Sequence, residues 1–485
     1  MDFLVLMHAP SSDDVTIIFL SGSIKGNAEK HFVALNSRMS VLLHVSPNNA
    51  EPCRIAKCAL EHYHSCLGTK GKPRQGEEWT VFAAIIAEDG DSTWVISSAT
   101  GSKCTTTGPE GVCLRDMHAE VLAKRGLQRI LWDEQQPTTA FTKQRLLEQA
   151  NGVHRLKEGL RIHLYVSDSP CGDAAIYKLS SGAINFTGAK VLVRGGEESN
   201  HHAALLATDQ HGHKVGRETV QELGALRIKS GRSNLPPHLR STCMSCADKI
   251  VRWMVLGLQG TAMAKIEPVR LSSVIVSRDP SCGLADQQSA LERATTGRMQ
   301  DVKEELLGNK EMKTRHAGFL RGLERHSVTV HVVDDVFPWG MANLKAAVQV
   351  QVQVHRAPDV STPASVGTKR TRDDSTHCSK TACSPCGFSI NWNALDNSVE
   401  VVVGARGILQ GKKPKSNADY SKLASRLCRQ SMMEHSSSLT LPTTYRDWKA
   451  SNASGKELKD AVLSTGPLWG WLQSARNFEF GSSGA

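Results

Sequence analysis

The chain has 485 residues, a formal net charge of +10 and a pI near 9.0. That length allows one large domain or two to three average ones, and the basic surplus points to a polyanionic partner. No stretch approaches 18 apolar residues, which argues against a membrane-spanning helix; the short apolar run after Asp2 has no basic flank, so no secretory signal is expected, and thirteen cysteines, an odd count, fit reduced intracellular thiols.

In chain order, residues 1–50 form a Ser/Asp/Gly-containing start that reads as an N-terminal extension or a mis-assigned start, with Met39 as the alternative beginning. Strands are expected at 79–86 and 93–98. Asp116-Met117-His118-Ala119-Glu120 then opens a helical run with Val121, Leu122, Ile130 and Leu131 on one side. Arg161 to Ser167 reads as a strand broken by Ser169-Pro170-Cys171-Gly172, and Asp173 to Leu179 as the helix that follows. Further strands are expected at 190–194, 271–277, 328–333 and 348–354. His201, His202, His211 and His213 read as a surface loop, and Arg227 to Arg232 as a basic loop. Residues 356–385, rich in Pro, Ser, Thr and charge, read as a disordered loop, with Lys369-Arg370-Thr371-Arg372 a solvated linker. This alternation predicts an α/β fold with helices on a mixed sheet.

His118, Cys171 and a second cysteine supply the soft ligands that zinc takes, leaving a fourth position for water. Residues two apart on a helix point to nearly opposite sides. His118 and Glu120 therefore share one site only at the helix start, where the pattern puts them. Cys171, ahead of an expected helix, gains thiolate character from the helix N-terminus. Nucleobase deaminases with this parts list carry both cysteines in Pro-Cys-x-x-Cys, with a Glu that moves protons rather than binding metal. Here position 174 is Ala. Spacing leaves Cys243 and Cys246 as alternatives for the third ligand. A structural zinc module, pairing Cys243/Cys246 with Cys383/Cys386, is a competing reading.

His118-Ala119-Glu120, Ser169-Pro170-Cys171-Gly172-Asp173 and Met244-Ser245-Cys246-Ala247-Asp248-Lys249-Ile250, with Arg252-Trp253, resemble the adenosine deaminases acting on RNA. Glu61-His62-Tyr63, Lys70-Gly71-Lys72-Pro73, Glu78-Trp79-Thr80, Thr100-Gly101-Ser102-Lys103-Cys104 and Ala424-Ser425-Arg426-Leu427-Cys428 extend the resemblance over roughly residues 51–475. It implies one editase domain, residues 51–481, with a cytidine-deaminase-like core and a C-terminal helical extension around a polyanion cavity. It implies zinc on His118, Cys171 and Cys246, Glu120 as the catalytic proton carrier, and Cys243 as a bystander. The tRNA-acting branch implies conversion of adenosine 37, beside the anticodon of alanine tRNA, to inosine. Other structured RNA, a free nucleoside, or an inactive RNA-binding homologue are the alternatives. No double-stranded-RNA-binding domain is recognisable, which favours tRNA.

The resemblance also implies a buried inositol hexakisphosphate. Asp116, Arg125, Lys249, Arg252, Trp253, Arg429, Tyr445, Lys449, Lys459 and Trp471 match its positions, with Asp116 and Lys249 in a polar relay toward the zinc site. Gly455 and Ser474 depart from the pattern, standing where Tyr and Lys are expected. Ser102, Lys103, Arg227, Lys229 and Arg232 are the implied RNA contacts. No membrane and no obligate protein partner is implied.

Overall fold

Alternation along one central strand organises the molecule. In a computed structural model of the chain, strand β1 (Phe82–Asp89) sends Ala83, Ile85 and Ala87 into one hydrophobic core and Phe82, Ala84 and Ile86 into another. That is the period-two signature of a strand covered on both faces. The structure describes residues 3–8, 15–20, 50–136, 144–185, 189–192, 223–229, 236, 240–263, 265–344, 383–436 and 444–472.

The chain divides into two compact units, Met1–Ala50 and Glu51–Ala485. In the first, Phe3–His8 and Val15–Leu20 pair antiparallel, with Phe3 opposite Leu20.

In the second unit β1 turns at Asp89-Gly90-Asp91 into β2 (Ser92–Thr100). The remaining strands of the main sheet are β3 (Arg161–Val166), β4 (Ser273–Ser277), β5 (Thr329–Val333), β6 (Phe388–Asn393), β7 (Ser398–Val403) and β8 (Ile408–Leu409). Their order across the sheet is β5-β4-β3-β1-β2-β6-β7-β8. The β3–β4 and β4–β5 pairs are parallel and the others antiparallel, so the sheet is mixed, as expected. On one face α1 (Ala50–Cys66) buries Ile55, Ala59 and Tyr63 with Phe337. On the other lie α2 (Ala119–Asp133) and α3 (Cys246–Leu256), burying Leu122, Leu127, Ile130, Ile250, Val251 and Met254. C-terminal helices α6 (Arg429–Ser436), α7 (Tyr445–Ala450) and α8 (Ala453–Leu463) follow α4 (Leu284–Glu292) and α5 (Arg298–Gly308) in the chain. Of these, α6, α7 and α8 make the C-terminal part of the chain helical, as expected.

The expected strand 79–86 runs later, because Thr80 N–H donates to Trp339 O and only Glu78–Trp79 pairs before it. The expected helix 173–179 is a correction: only Asp173–Ala175 makes a 3-10 turn. Ile176 is already extended, and Asn185 N–H bonds back to Tyr177 O as a hairpin forms. The end of the expected loop 356–385 also differs. Ser384–Pro385 lies parallel to Glu78–Trp79, with Ser384 N–H donating to Glu77 O and Cys386 N–H to Trp79 O. Proline, lacking a donor, fits such a short edge. Strand 348–354 and the rest of that loop lie outside the described residues, as do the four histidines between 201 and 213.

Candidate active site

The strand Asp116–His118 pairs with Ser102–Cys104 and runs straight into α2, with Ala119 N–H donating to Gly101 O at 3.0 Å. Gly101 has φ +141°, and a Cβ there would sit 2.2 Å from Met117 O, so only glycine allows this approach. His118 thereby ends a strand and Glu120 opens a helix, which turns both toward one site despite their spacing.

Cys171 comes from the loop after β3. Gly172, at φ +107°, packs its Cα against Ser245, where a Cβ would meet Ser245 Oγ at 2.4 Å. Cys246 is the first residue of α3, whose N-cap Ser245 accepts from Asp248 N–H at 3.2 Å. Cys246 N–H donates to Cys171 Sγ at 3.3 Å, and Ala247 N–H to Cys171 O at 3.1 Å. Cys171 Sγ is 3.7 Å from His118 Nδ1. The ligand atoms of His118, Cys171 and Cys246 all lie within 4.8 Å of one another. This one-nitrogen, two-sulfur set has the donor chemistry of a zinc site with an open position. Cys243 is not in the group; its thiol faces Cys104. Cys383 and Cys386 join no metal-binding group among the described residues, which counts against the structural zinc module.

Glu120 is 2% exposed, and its Oε2 has no hydrogen-bond partner. Burial raises its pKa, with the Cys171 charge adding to that and His118 opposing it. A buried carboxylate oxygen without a partner is costly.

Two cations hold the thiol side. Burial alone would raise the Asp116 carboxyl, but Lys229 and Lys249 outweigh it and keep it well below 3.8. Lys229 Nζ donates to Asp116 Oδ2 at 2.8 Å and to Cys246 Sγ at 3.1 Å, and Lys249 Nζ donates to Asp116 Oδ2. Burial opposes the Lys229 charge, yet Asp116 and the two thiols hold its pKa well above the usual value. Lys229 and Arg227 are therefore corrections. Both were expected as RNA contacts on a basic loop, but Arg227 lies in a short strand and both side chains are buried. Ser102 and Lys103 are half-buried on the strand beside His118, and Arg232 lies outside the described residues.

A second cluster gathers where α2, α3 and α7 meet. Lys124, which sequence reasoning missed, is 8% exposed. Burial, then the charges of Arg252, Lys449, Arg125 and Lys249, push its pKa well below 10.5. The four largest charges acting on it are positive. Burial pushes Arg252 down to about 10, and its guanidinium lies 4.7 Å from the Trp471 ring centroid. Burial also lowers Arg125 and Lys449; Arg125 donates to Leu427 O at 2.6 Å. Arg429 and Lys449 lie over the Tyr445 ring. Burial would raise the Tyr445 phenol, but Lys449, Arg429 and Arg125 bring it down. Trp253 Nε1 is buried without a partner. Arg429 is paired with Glu110 at 2.5 Å and Lys459 with Asp460 at 3.2 Å, so those two charges are compensated. Buried like charges at this density fit a bound polyanion.

Residues 97–465 match the adenosine-deaminase (editase) domain. A Drosophila melanogaster protein named tRNA-specific adenosine deaminase 1 is 31% identical over 247 residues, 50% of this chain and 57% of its own. The Homo sapiens protein of that name is 25% identical over 434 residues, covering 66% of this chain and 84% of its own. A Mus musculus double-stranded RNA-specific adenosine deaminase is 33% identical over 212 residues, 40% of this chain and 17% of its own. The chain thus spans little more than half of the fly relative and most of the human one.

Replacing Asp116 by Asn leaves Lys229 and Lys249 facing each other, and is expected to cost about 3–5 kcal/mol. The depressed Asp116 pKa contributes stability above its unfolded value of 3.8, lost as pH falls through the folded value. The raised Lys229 pKa contributes below 10.5, lost as pH rises through the folded value. Urea unfolding of wild type and Asp116→Asn should therefore differ by a constant amount between about pH 5 and about pH 9.

Proposed function

Because the chain belongs to the adenosine-deaminase (editase) family, we propose that it is a zinc-dependent hydrolase converting adenosine to inosine in tRNA. The observation that carries this reading is the buried, unpartnered Glu120 oxygen beside the donors of His118, Cys171 and Cys246. His118, Cys171 and Cys246 would hold zinc, which would supply a water activated for attack near neutral pH. Glu120 accepts that water's proton and delivers it to the purine ring as carbon 6 is attacked. It then takes the remaining proton of the hydroxyl now bonded to carbon 6 and gives it to the departing amine, so the carbon–nitrogen bond breaks and adenosine and water become inosine and ammonia. A carboxyl whose pKa is raised by burial suits a group that must both take and give a proton. Lys229 steadies negative charge on Cys246, and Asp116 fixes Lys229.

The names of the fly and human relatives support tRNA as the substrate. We take adenosine 37 of alanine tRNA as the target. A base in the anticodon loop is cheaper to extract than one in a duplex. Ser102 and Lys103, on the strand paired with Asp116–His118, and Arg232 are the proposed RNA contacts. An intracellular location goes with that substrate. The cluster of Lys124, Arg125, Lys249, Arg252, Tyr445 and Lys449 supports a bound inositol hexakisphosphate as a structural cofactor. It would neutralise the excess of cations there, and stabilise the C-terminal helices by binding only the folded state.

Incubated with unmodified alanine tRNA transcript, the protein is expected to produce inosine, read as guanosine at position 37 after reverse transcription. Glu120→Gln should lower the rate by about 10²- to 10⁴-fold while keeping zinc. Full activity in that variant would remove Glu120 from the mechanism, and editing only of duplex RNA would reassign the substrate. Phosphate analysis of the denatured protein should find one inositol polyphosphate per chain; none would sink the cofactor.

A further inference from the structure

We propose that Arg293 and Arg298 are positioning residues that jointly aim the two cysteine ligands, an inference that rests on the zinc reading above. Each cysteine is followed two residues later by a buried aspartate, in Cys171-Gly172-Asp173 and Cys246-Ala247-Asp248. Each aspartate is held by one of these arginines. Arg293 Nε donates to Asp173 Oδ2 at 3.2 Å, and its NH2 group donates to Asp173 O and Ile176 O, both at 3.0 Å. Arg298 donates to Asp248 Oδ1 at 2.6 Å and to Pro467 O at 3.2 Å.

The aspartates fasten the turns in their own right. Asp173 Oδ1 accepts from Gly224 N–H at 3.1 Å. Asp248 Oδ2 accepts from Ser245 Oγ at 2.6 Å and from Arg227 N–H at 2.9 Å. Arg227 directly precedes the Ile228-Lys229 segment, so the Asp248 clamp also fixes the backbone that carries Lys229 to Cys246. The two turns touch each other through Gly172 and Ser245. Displacing one therefore moves the other.

What lets two arginines serve both turns is an irregularity in one helix. Between α4 and α5, residues Arg293–Gly297 form a π-helical segment. At 3.6 residues per turn, side chains five apart diverge by about 140°. In a segment with i→i+5 bonding they come to the same side. The π segment therefore aligns Arg293 and Arg298, at its start and just past its end, toward the two Cys-x-Asp turns. The Arg298–Asp248 pair is almost fully buried, at 3% and 1% side-chain exposure. Desolvation discounts the net stability such a pair gives, so orientation of the ligands is what it gains. Partners that orient metal ligands in this way commonly govern metal affinity by about 10- to 100-fold.

The test is Arg293→Lys and Arg298→Lys, each a single donor in place of a fork. Zinc affinity is measured by chelator competition, and geometry by the visible absorption of the cobalt-substituted protein. Both variants should lose about 10- to 100-fold in zinc affinity and shift the cobalt spectrum, with circular dichroism unchanged. Arg293 keeps about a third of its side chain exposed. Its variant tolerates the change and decides the question alone if Arg298→Lys is insoluble. Wild-type affinity and an unshifted cobalt spectrum in Arg293→Lys would overturn the clamp. A wild-type protein that binds neither metal would instead overturn the zinc reading on which it rests.

Discussion

One buried carboxylate joins the two halves of the site. Asp116 sits between Lys229, which reaches the Cys246 sulfur, and Lys249, which belongs to the cation cluster. Charges alternate from thiol to Lys229 to Asp116 to Lys249. Beyond Lys249 the alternation gives way to an excess of positive charge, where Arg125, Arg252 and Lys449 act on Lys124 and the Tyr445 phenol supplies the main opposing charge. A chain able to bury that many cations has either a ligand to neutralise them or a strongly unfavourable folded state. The His118, Cys171 and Cys246 donors and the cation cluster are thus electrostatically linked through Asp116. Both groups draw on α2 and α3, with His118 and Cys171 added among the donors and Lys449 of α7 among the cations.

The backbone makes this possible through close approaches rather than through ordinary helix packing. Gly101 lets the strand Asp116–His118 lie against Ser102–Cys104 and hand His118 to α2. Gly172 lets the Cys171 turn meet Ser245, so two cysteines 75 residues apart share one hydrogen-bonded junction. The mixed sheet underneath is buried on both faces and supplies the rigid floor that these loops need.

Much of this was legible in the sequence where signals are local. His118-Ala119-Glu120 before an apolar helix, and Pro170-Cys171-Gly172 after a strand, marked His118, Cys171 and Glu120 as candidates, and the fold brings them together. Spacing alone left Cys243 and Cys246 open. The structure separates them because Cys246 is the first residue of a Ser245-capped helix, whereas Cys243 lies in the extended segment before it, with its thiol against Cys104. Lys229 was misread because flanking Arg and Gly residues resemble a solvated loop, and only tertiary pairing of Arg227–Ile228 buries it. Lys124 hid inside the apolar run Val121 to Ala123. Its burial beside Arg125 was the available signal, since adjacent cations on the core side of a helix need an anion. The hairpin Phe388–Val403 was missed, although the alternation of Phe388, Ile390 and Trp392 and the Asn397 turn, at φ 42°, carried a signal for it. The π segment carries no signal that local propensity reveals.

Zinc K-edge X-ray absorption on the purified protein examines the heart of the site without relying on turnover. One zinc per chain, with two sulfur ligands at about 2.3 Å and the remaining ligands nitrogen or oxygen, is the expected result. A four-sulfur shell, or protein that is fully folded and active on tRNA without zinc, would contradict the assignment of His118, Cys171 and Cys246.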